Sequence, residues 1–525
     1  MQIRIDKKYL WFPVDMSQEE IKVNIYAADS QIHEINIHLG KGHCDFYGAL
    51  KVEEYLGQTL ELRSAAGEEL LLGVRQEETR PANDYPYRPK LHYTPSYGWV
   101  NDPNGLVYHN GVWHLFHQYN PYGTMWQNMS WGHAVSRDLF HWEEKDVALY
   151  PDEYGTAYSG CALLDKENRA GFGKDAILFY YTAAGGRSEQ SARLGNPFTQ
   201  RLLWSDGNGE TLHPADKCVV PWIADENRDP KVFRHEASDG FIMVLYLEKN
   251  EFAILRSTDL LHWEETQRLD IPEMWECPLL MELPVEGTKE KKWVFWSADG
   301  YYLVGSFDGW RFQPESDRMM AYISRRAYAA QNYENTGDRT VMVSWLRLDN
   351  GLGNYRGAMG LPMTLTLKKT QAGLRLAFDT VEELEGLRGQ WEPLESRTPG
   401  TEAYRASREL KEQAGELYVS WEKGSRGLAE IRVGETAIRL DLGTGILTVD
   451  TKRLQSLETE IKGSFDPESE MNLRVIIDQE AIELLGADGL LCGTVETEEN
   501  VLAKTVGFCS EAPVKECRFS QFYTA

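Results

Sequence analysis

Short apolar runs, many of them alternating with polar residues, recur along the whole chain: 21–26 (IKVNIY), 177–181 (ILFYY), 241–247 (FIMVLYL), 293–296 (WVFW), 341–345 (VMVSW) and 473–477 (LRVII). They are rich in β-branched and aromatic residues, and Gly, Asp, Asn or Pro stand close to most of them. That combination predicts strands separated by tight turns. Long amphipathic helical patterns are scarce, and 407–414 is a short helix candidate. The pattern predicts an all-β protein.

An internal repeat sharpens this. Ser136-Arg-Asp-Leu-Phe-His-Trp-Glu-Glu144 returns as Ser257-Thr-Asp-Leu-Leu-His-Trp-Glu-Glu265, with looser copies at Trp204-Ser-Asp-Gly-Asn-Gly209 and Ser306-Phe-Asp-Gly-Trp310. The serines at 136, 205, 257 and 306 are 69, 52 and 49 residues apart. Asp-Leu or Asp-Gly in each copy suits a turn between strands. A unit of this length built of short strands suits a four-stranded propeller blade. The repeat region, 88–370, has room for five blades and predicts a five-bladed β-propeller. Residues 1–80 read as short strands with turns at Gly40, Gly42, Gly48 and Gly57, an N-terminal β-sandwich. Residues 77–89 are polar and proline-rich and read as a linker. Residues 375–525 read as a C-terminal β-sandwich.

Length supports several cores, because 525 residues exceed what one hydrophobic core holds. The net charge of −26 repels phosphate backbones and anionic lipid, which argues against nucleic acid and membrane partners. A neutral substrate is indifferent to that field. The first twenty residues lack the apolar core of a signal peptide, and the seven cysteines form no metal-site spacing. These features lead us to expect a cytoplasmic protein without a structural metal. A homo-oligomer is compatible with everything above. The 16 Trp, 26 Tyr and 18 Phe fit a sheet protein, and aromatic faces also stack on sugar rings.

Three stretches place a carboxylate beside a turn-marking residue: Trp99-Val-Asn-Asp-Pro-Asn-Gly105, Arg228-Asp-Pro230 and Trp275-Glu-Cys-Pro278. Singly, each is an ordinary loop or surface pair. Together they fall far apart in the repeat region, and inner strands of a propeller converge on its axis. Asp102, placed on a loop between buried strands, could then meet Asp229 and Glu276 around one funnel. Three carboxyl groups there suit glycoside cleavage, one attacking, one exchanging protons and one holding sugar hydroxyls.

These stretches, in this order, resemble glycoside hydrolase family 32, the invertase, inulinase and levanase family. Further matches are Leu115-Phe-His-Gln-Tyr-Asn-Pro121, Trp126, Trp131-Gly-His-Ala-Val-Ser136, Tyr158-Ser-Gly160 and 357–362. The resemblance is close over 88–370 and looser beyond. The segments Lys8-Tyr-Leu-Trp-Phe-Pro-Val14 and 54–63 look like the extra sandwich of some bacterial levanase-type members. It implies that Asp102 is the nucleophile, Glu276 the acid/base and Asp229 the transition-state stabiliser. It also implies that Asn101, Gln118, Trp126, Tyr158, Ser159, Arg228 and Cys277 form the sugar pocket. No metal or organic cofactor is implied. Apolar Trp275 and Pro278 would keep Glu276 protonated by desolvation, and donors such as Asn101 would keep Asp102 ionised. Tyr158, Cys161 and Asn227 depart from the common pattern close to the expected pocket. The expected activity is retaining exo-β-fructosidase action on sucrose, fructo-oligosaccharides, inulin or levan. A fructosyltransferase using the same carboxylates and a non-catalytic sugar-binding propeller are the alternatives.

Overall fold

The computed structural model describes residues 1–525 apart from 83–84, 86–87, 349–353, 396–402, 412–413, 452–456, 498–504 and 524–525. Five successive antiparallel sheets make up the middle of the chain, at 98–144, 156–220, 228–270, 279–314 and 327–380. Each is built on a four-stranded path, of consecutive strands in the first four and of Ala327–Asn332, Val341–Leu346, Met363–Thr370 and Gly373–Thr380 in the fifth, which makes them the five blades of a β-propeller. Blade 1 is closed by Tyr355–Arg356, which pairs in parallel with Gly98 and Trp99.

The sequence repeat is the same turn in four successive blades, between the third strand and the fourth. At Asp138 the carboxylate accepts the N–H groups of Phe140 (3.0 Å) and His141 (2.8 Å). At Asp259 it accepts those of Leu261 (3.0 Å) and His262 (2.8 Å). Asp308 does the same for Trp310 and Arg311, and Asn208 substitutes in blade 2. The fifth blade turns at Gln371-Ala372 without the motif.

The first strands of the blades lie innermost and touch one another. Gly160 N–H donates to Asn104 Oδ1 (3.2 Å), Val232 N–H reaches Cys161 Sγ (3.1 Å), and Lys231 Nζ donates to the Asn332 carbonyl (2.7 Å). A bridge between Val107 and Glu334 joins blades 1 and 5. These strands carry an irregularity in register at corresponding places: between Val100 and Pro103, Ala157 and Gly160, Arg228 and Lys231, and Tyr328 and Gln331. In blade 4, Glu276 and Cys277 have φ of 53° and 40° just before the strand Leu279–Pro284. A bulge breaks the alternation of a strand and re-aims one side chain.

A four-stranded and a three-stranded sheet enclose an apolar core ahead of the propeller. Two six-stranded sheets enclose another behind it. The fifth blade runs to Thr380, and the first strand of the C-terminal sheets is Glu392–Pro393. The helix expected at 407–414 is not formed: Tyr404–Glu409 is a strand paired with Thr505–Ser510. Its apolar residue Ala406 faces a sheet core, so tertiary pairing overrides a weak local signal. Around the linker, 80 and 88 are pinned: Arg80 pairs with half-buried Glu144, and Arg88 donates to the carbonyls of Pro95 (2.9 Å) and Ser96 (2.7 Å). Among the described residues no helix is long and apolar enough to cross a membrane.

Candidate active site

The bulged inner strands surround a cavity of about 330 Å³, within the size range of small-molecule sites. Its lining holds Asn101 and Asp102 from blade 1, Tyr158 and Ser159 from blade 2, Arg228 and Asp229 from blade 3, Glu276 ahead of blade 4, and Tyr328 from blade 5. Gln118 and Trp126 also line it, so every residue expected from sequence does so except Cys277. Asp102 does not sit on a loop. It lies inside the continuous strand Gly98–His109, where the bulge turns its carboxylate out of the sheet alternation. Gln118 is fixed by donating to the Ala157 carbonyl (3.0 Å), and Asn101 by accepting from Trp99 Nε1 (2.8 Å).

The three carboxylates are linked by a short chain of contacts. Ser159 Oγ donates to Asp102 Oδ2 (2.6 Å). Cys277 N–H donates to Asp229 Oδ2 (3.1 Å), and its thiol lies 3.5 Å from that oxygen and 3.8 Å from Asp102 Oδ2. Arg228 Nε is 3.7 Å from Asp229 Oδ2, and its Nη2 donates to Glu276 Oε1 (2.7 Å). Tyr328 OH donates to Glu276 Oε2 (2.6 Å) and accepts from Trp275 Nε1 (3.1 Å).

Burial dominates the electrostatics of the floor. It pushes the Asp102 carboxyl above its ordinary range, the Ser159 hydrogen bond opposes that, and the charge of Glu276 reinforces it. It pushes Asp229 up to about 7, against the pull of Arg228 and with the push of Glu276 and Asp102. Desolvation opposes the charge on Arg228, yet Asp229 and Glu276 hold it more firmly protonated than usual. Burial, with the neighbouring carboxylates, keeps Cys277 a neutral thiol.

Four expectations are corrected. Cys277 does not line the cavity: it is 2% exposed and lies behind the carboxylates as their donor. Cys161 and Asn227 are also buried away from it, at an inter-blade contact and in a turn held by Ile223 N–H. Of the three departures, only Tyr158 faces the pocket. Glu276 is not sleeved by apolar groups, since Trp275 is 39% exposed and the carboxylate's partners are Arg228 and Tyr328.

Residues that sequence reasoning missed are Tyr328, Arg187, Phe198, Glu226 and Trp345. None lies in a turn-marked motif. A larger cavity of about 660 Å³ lies between blade 5 and the C-terminal sandwich, where Glu416 is paired to both Arg388 and Arg474. Most of its charges are paired, so the smaller cavity, with converging carboxylates, is the better candidate. Among the described residues, Asp15, His43 and Asp45 bring donor atoms within 4.8 Å of one another, on the N-terminal sandwich and away from this floor.

A propeller that gathers two carboxyl groups from bulged inner strands and a third from the turn ahead of blade 4 around a sugar-sized cavity has the makings of a glycoside hydrolase. The model of the glycosyl hydrolases family 32 N-terminal domain matches residues 92–377, more than half of the chain, and the chain belongs to that family. A levanase of Bacillus subtilis is 33% identical over 457 residues, covering 77% of this chain and 65% of the levanase. An extracellular exo-inulinase of Aspergillus niger is 34% identical over 370 residues, covering 61% of this chain and 69% of the inulinase. The chain thus spans about two thirds of the length of these curated relatives. The crystal structure of an exo-inulinase from Aspergillus awamori matches with a TM-score of 0.74 at 26% identity, covering 84% of this chain and 99% of that one. A family 32 structure from Bifidobacterium adolescentis shares the fold over 100% of this chain and 99% of its own, with a TM-score of 0.69 at 17% identity.

The cytoplasmic expectation is corrected by these comparisons, since relatives are named extracellular. The cysteine argument fails physically. A chain of this size buries enough core to do without disulfides, so its seven free cysteines do not report a compartment.

Proposed function

We propose that the protein is a retaining exo-β-fructosidase that removes terminal non-reducing β-D-fructofuranosyl units from sucrose, fructo-oligosaccharides, inulin or levan. The observation that carries this reading is the junction of Asp102, Asp229 and Glu276 through Cys277 and Arg228 at the floor of one cavity, with Ser159 donating to Asp102. The names of the levanase and exo-inulinase relatives support the sugar.

In this mechanism Asp102 attacks the anomeric carbon while Glu276 gives its proton to the glycosidic oxygen, which departs with the leaving sugar. The fructosyl–Asp102 ester is then hydrolysed by water, whose proton returns to Glu276 as the ester bond breaks. Arg228 and Tyr328 occupy the two oxygens of Glu276 and fix its direction. Asp229, held by the Cys277 N–H, is positioned to bind fructosyl hydroxyls as positive charge builds on the ring. Transfer of the fructosyl group to another sugar uses the same ester, with an acceptor hydroxyl in place of water.

Sucrose, kestose, inulin and levan, supplied side by side, test the reading through release of free fructose. The first-formed anomer, followed by NMR, should be β. Early α-fructose, the product of a single inversion, would overturn the retaining mechanism.

A further inference from the structure

Two segments of the pocket mouth are held from outside the propeller. Residues 121–129 carry Trp126, and 185–198 carry Arg187 and Phe198. Both run against one strand of the N-terminal sandwich, Ser30–Ile37. On the first segment, Asn128 brackets the backbone of Asn36, accepting its N–H at Oδ1 (2.8 Å) and donating from Nδ2 to its carbonyl (2.8 Å). The same amide donates to Asn120 Oδ1 (2.9 Å), and Asn120 Nδ2 donates to the carbonyl of Met125, next to Trp126 (2.8 Å). On the second, the Glu34 carboxylate accepts the N–H groups of Glu189 (3.0 Å) and Gln190 (3.2 Å). Lys22 Nζ bridges Glu34 (3.1 Å) and Glu189 (2.8 Å), and Arg193 donates to Gln31 Oε1 (3.3 Å).

What the strand holds is the wall of the mouth. Trp126 packs edge-on against Tyr158 (5.9 Å between centroids), Tyr158 against Phe198 (5.7 Å), and the Arg187 guanidinium lies 5.8 Å from the Phe198 ring. This row starts on one stapled segment and ends on the other. Trp126 and Arg187 are exposed, whereas Asp102, Ser159 and Asp229 lie at the floor. A sugar unit reacting at the floor leaves whatever is attached to it at the mouth. Ordering two free segments would cost conformational entropy at each binding event, and anchoring them in advance removes that cost.

We propose that strand Ser30–Ile37 positions the leaving-group side of the pocket. The N-terminal sandwich then governs which fructosides bind, although none of the cavity's lining residues comes from it. This rests on the fructosidase reading above. Glu34 and its partners are positioning residues, acting through the two segments.

The test compares Glu34→Ala and Glu34→Gln with wild type on methyl β-D-fructofuranoside and on nystose, a small and a long leaving group. Glu34→Ala should raise KM for nystose about threefold or more, with kcat on both substrates and KM for the methyl glycoside within about twofold. Glu34→Gln keeps an acceptor oxygen and should restore most of the loss. Limited trypsin digestion of each full-length variant should cut faster after Arg187 and Arg193 in Glu34→Ala, by about threefold or more. Lys22→Ala serves the same readouts if Glu34→Ala does not fold. Equal rises in KM on both substrates, or faster cutting with no change in either KM, would overturn the proposal. Wild type releasing fructose from no substrate would sink the fructosidase reading instead, while the trypsin comparison would still report whether the strand anchors the mouth.

Discussion

Cys277 shows how acidic groups can share one floor. Its backbone N–H points at Asp229, and its neutral thiol stands between Asp229 and Asp102, offering weak polarity without a fourth charge. The floor still carries electrostatic strain, and Asp229 bears most of it. Asp102→Asn and Glu276→Gln should each retain the fold and lose nearly all hydrolysis, because proton transfer alone contributes roughly 10²–10⁴. Retention of more than about a tenth of wild-type kcat in either variant would refute the assigned roles. Asp229→Asn should lose activity as well but gain stability. A carboxyl whose folded pKa is raised from 3.8 to about 7 binds its proton more tightly in the folded state, so its contribution is complete at low pH and lost as pH rises toward 7. The amide stays neutral throughout. The Tm of Asp229→Asn should therefore exceed wild type at pH 8 and approach it at pH 4. An offset independent of pH would show that Asp229 is not strained in this way.

At the scale of elements, two devices recur around the propeller, and only one was legible in the sequence. The turn between third and fourth strands needs a short acceptor side chain near a fixed place, so Ser-x-Asp is visible at 136, 257 and 306, with Ser205 and Asn208 in the looser second copy. The bulge of the inner strand needs only a backbone irregularity. Its residues, Asn101-Asp102, Tyr158-Ser159, Asp229-Pro230 and Ala329-Ala330, have no residue type common to all four. Asp102, Asp229 and Glu276 were found because proline or cysteine marks their turns. Tyr328 stands in Arg326-Ala-Tyr-Ala-Ala330, which reads as plain strand. Arg187 and Phe198 were hidden for another reason: they flank a short helix, Glu189–Leu194, inserted within blade 2. The turn itself is testable. Asp259 accepts two backbone N–H groups and contacts the His262 ring (2.7 Å), on the blade edge remote from the inner strands. Asp259→Ala should cost about 1–2 kcal/mol with KM unchanged. Thermal melts and initial rates on the same preparation check this, and an unaltered Tm would remove the turn from the account of why the repeat exists.

Across the whole molecule, the C-terminal sandwich is bound to the start of the propeller by buried charge. The Asp478 carboxylate accepts the N–H groups of Lys90 (2.8 Å), Leu91 (2.7 Å) and His92 (3.2 Å). The His92 ring then bridges Asp478 (2.9 Å) and Glu483 (3.1 Å), and Thr494 donates to the other oxygen of Glu483 (2.6 Å). Arg326 pairs with Glu496 (2.9 Å) at the same boundary. Desolvation works against a charged imidazole here, but the two carboxylates outweigh it and raise His92 from 6.5 to about 9. A folded pKa above the unfolded one means stability that is complete below pH 6.5 and lost as pH rises through about 9. Replacing the ring leaves two buried carboxylates short of a partner, a loss on the scale of roughly 3–5 kcal/mol where His92 is charged. His92→Gln should therefore melt well below wild type at pH 6, and the gap should narrow steadily toward pH 9.5. Floor chemistry should be untouched at temperatures below the melt, because the His92 ring bonds to Asp478 and Glu483, neither of which lines the pocket. Differential scanning calorimetry of both proteins across that pH range decides the matter. A gap that stays constant from pH 6 to 9.5 would mean that His92 joins the sandwich to the propeller as a neutral packing group, with the charge on Asp478 satisfied by the backbone of 90–92 alone.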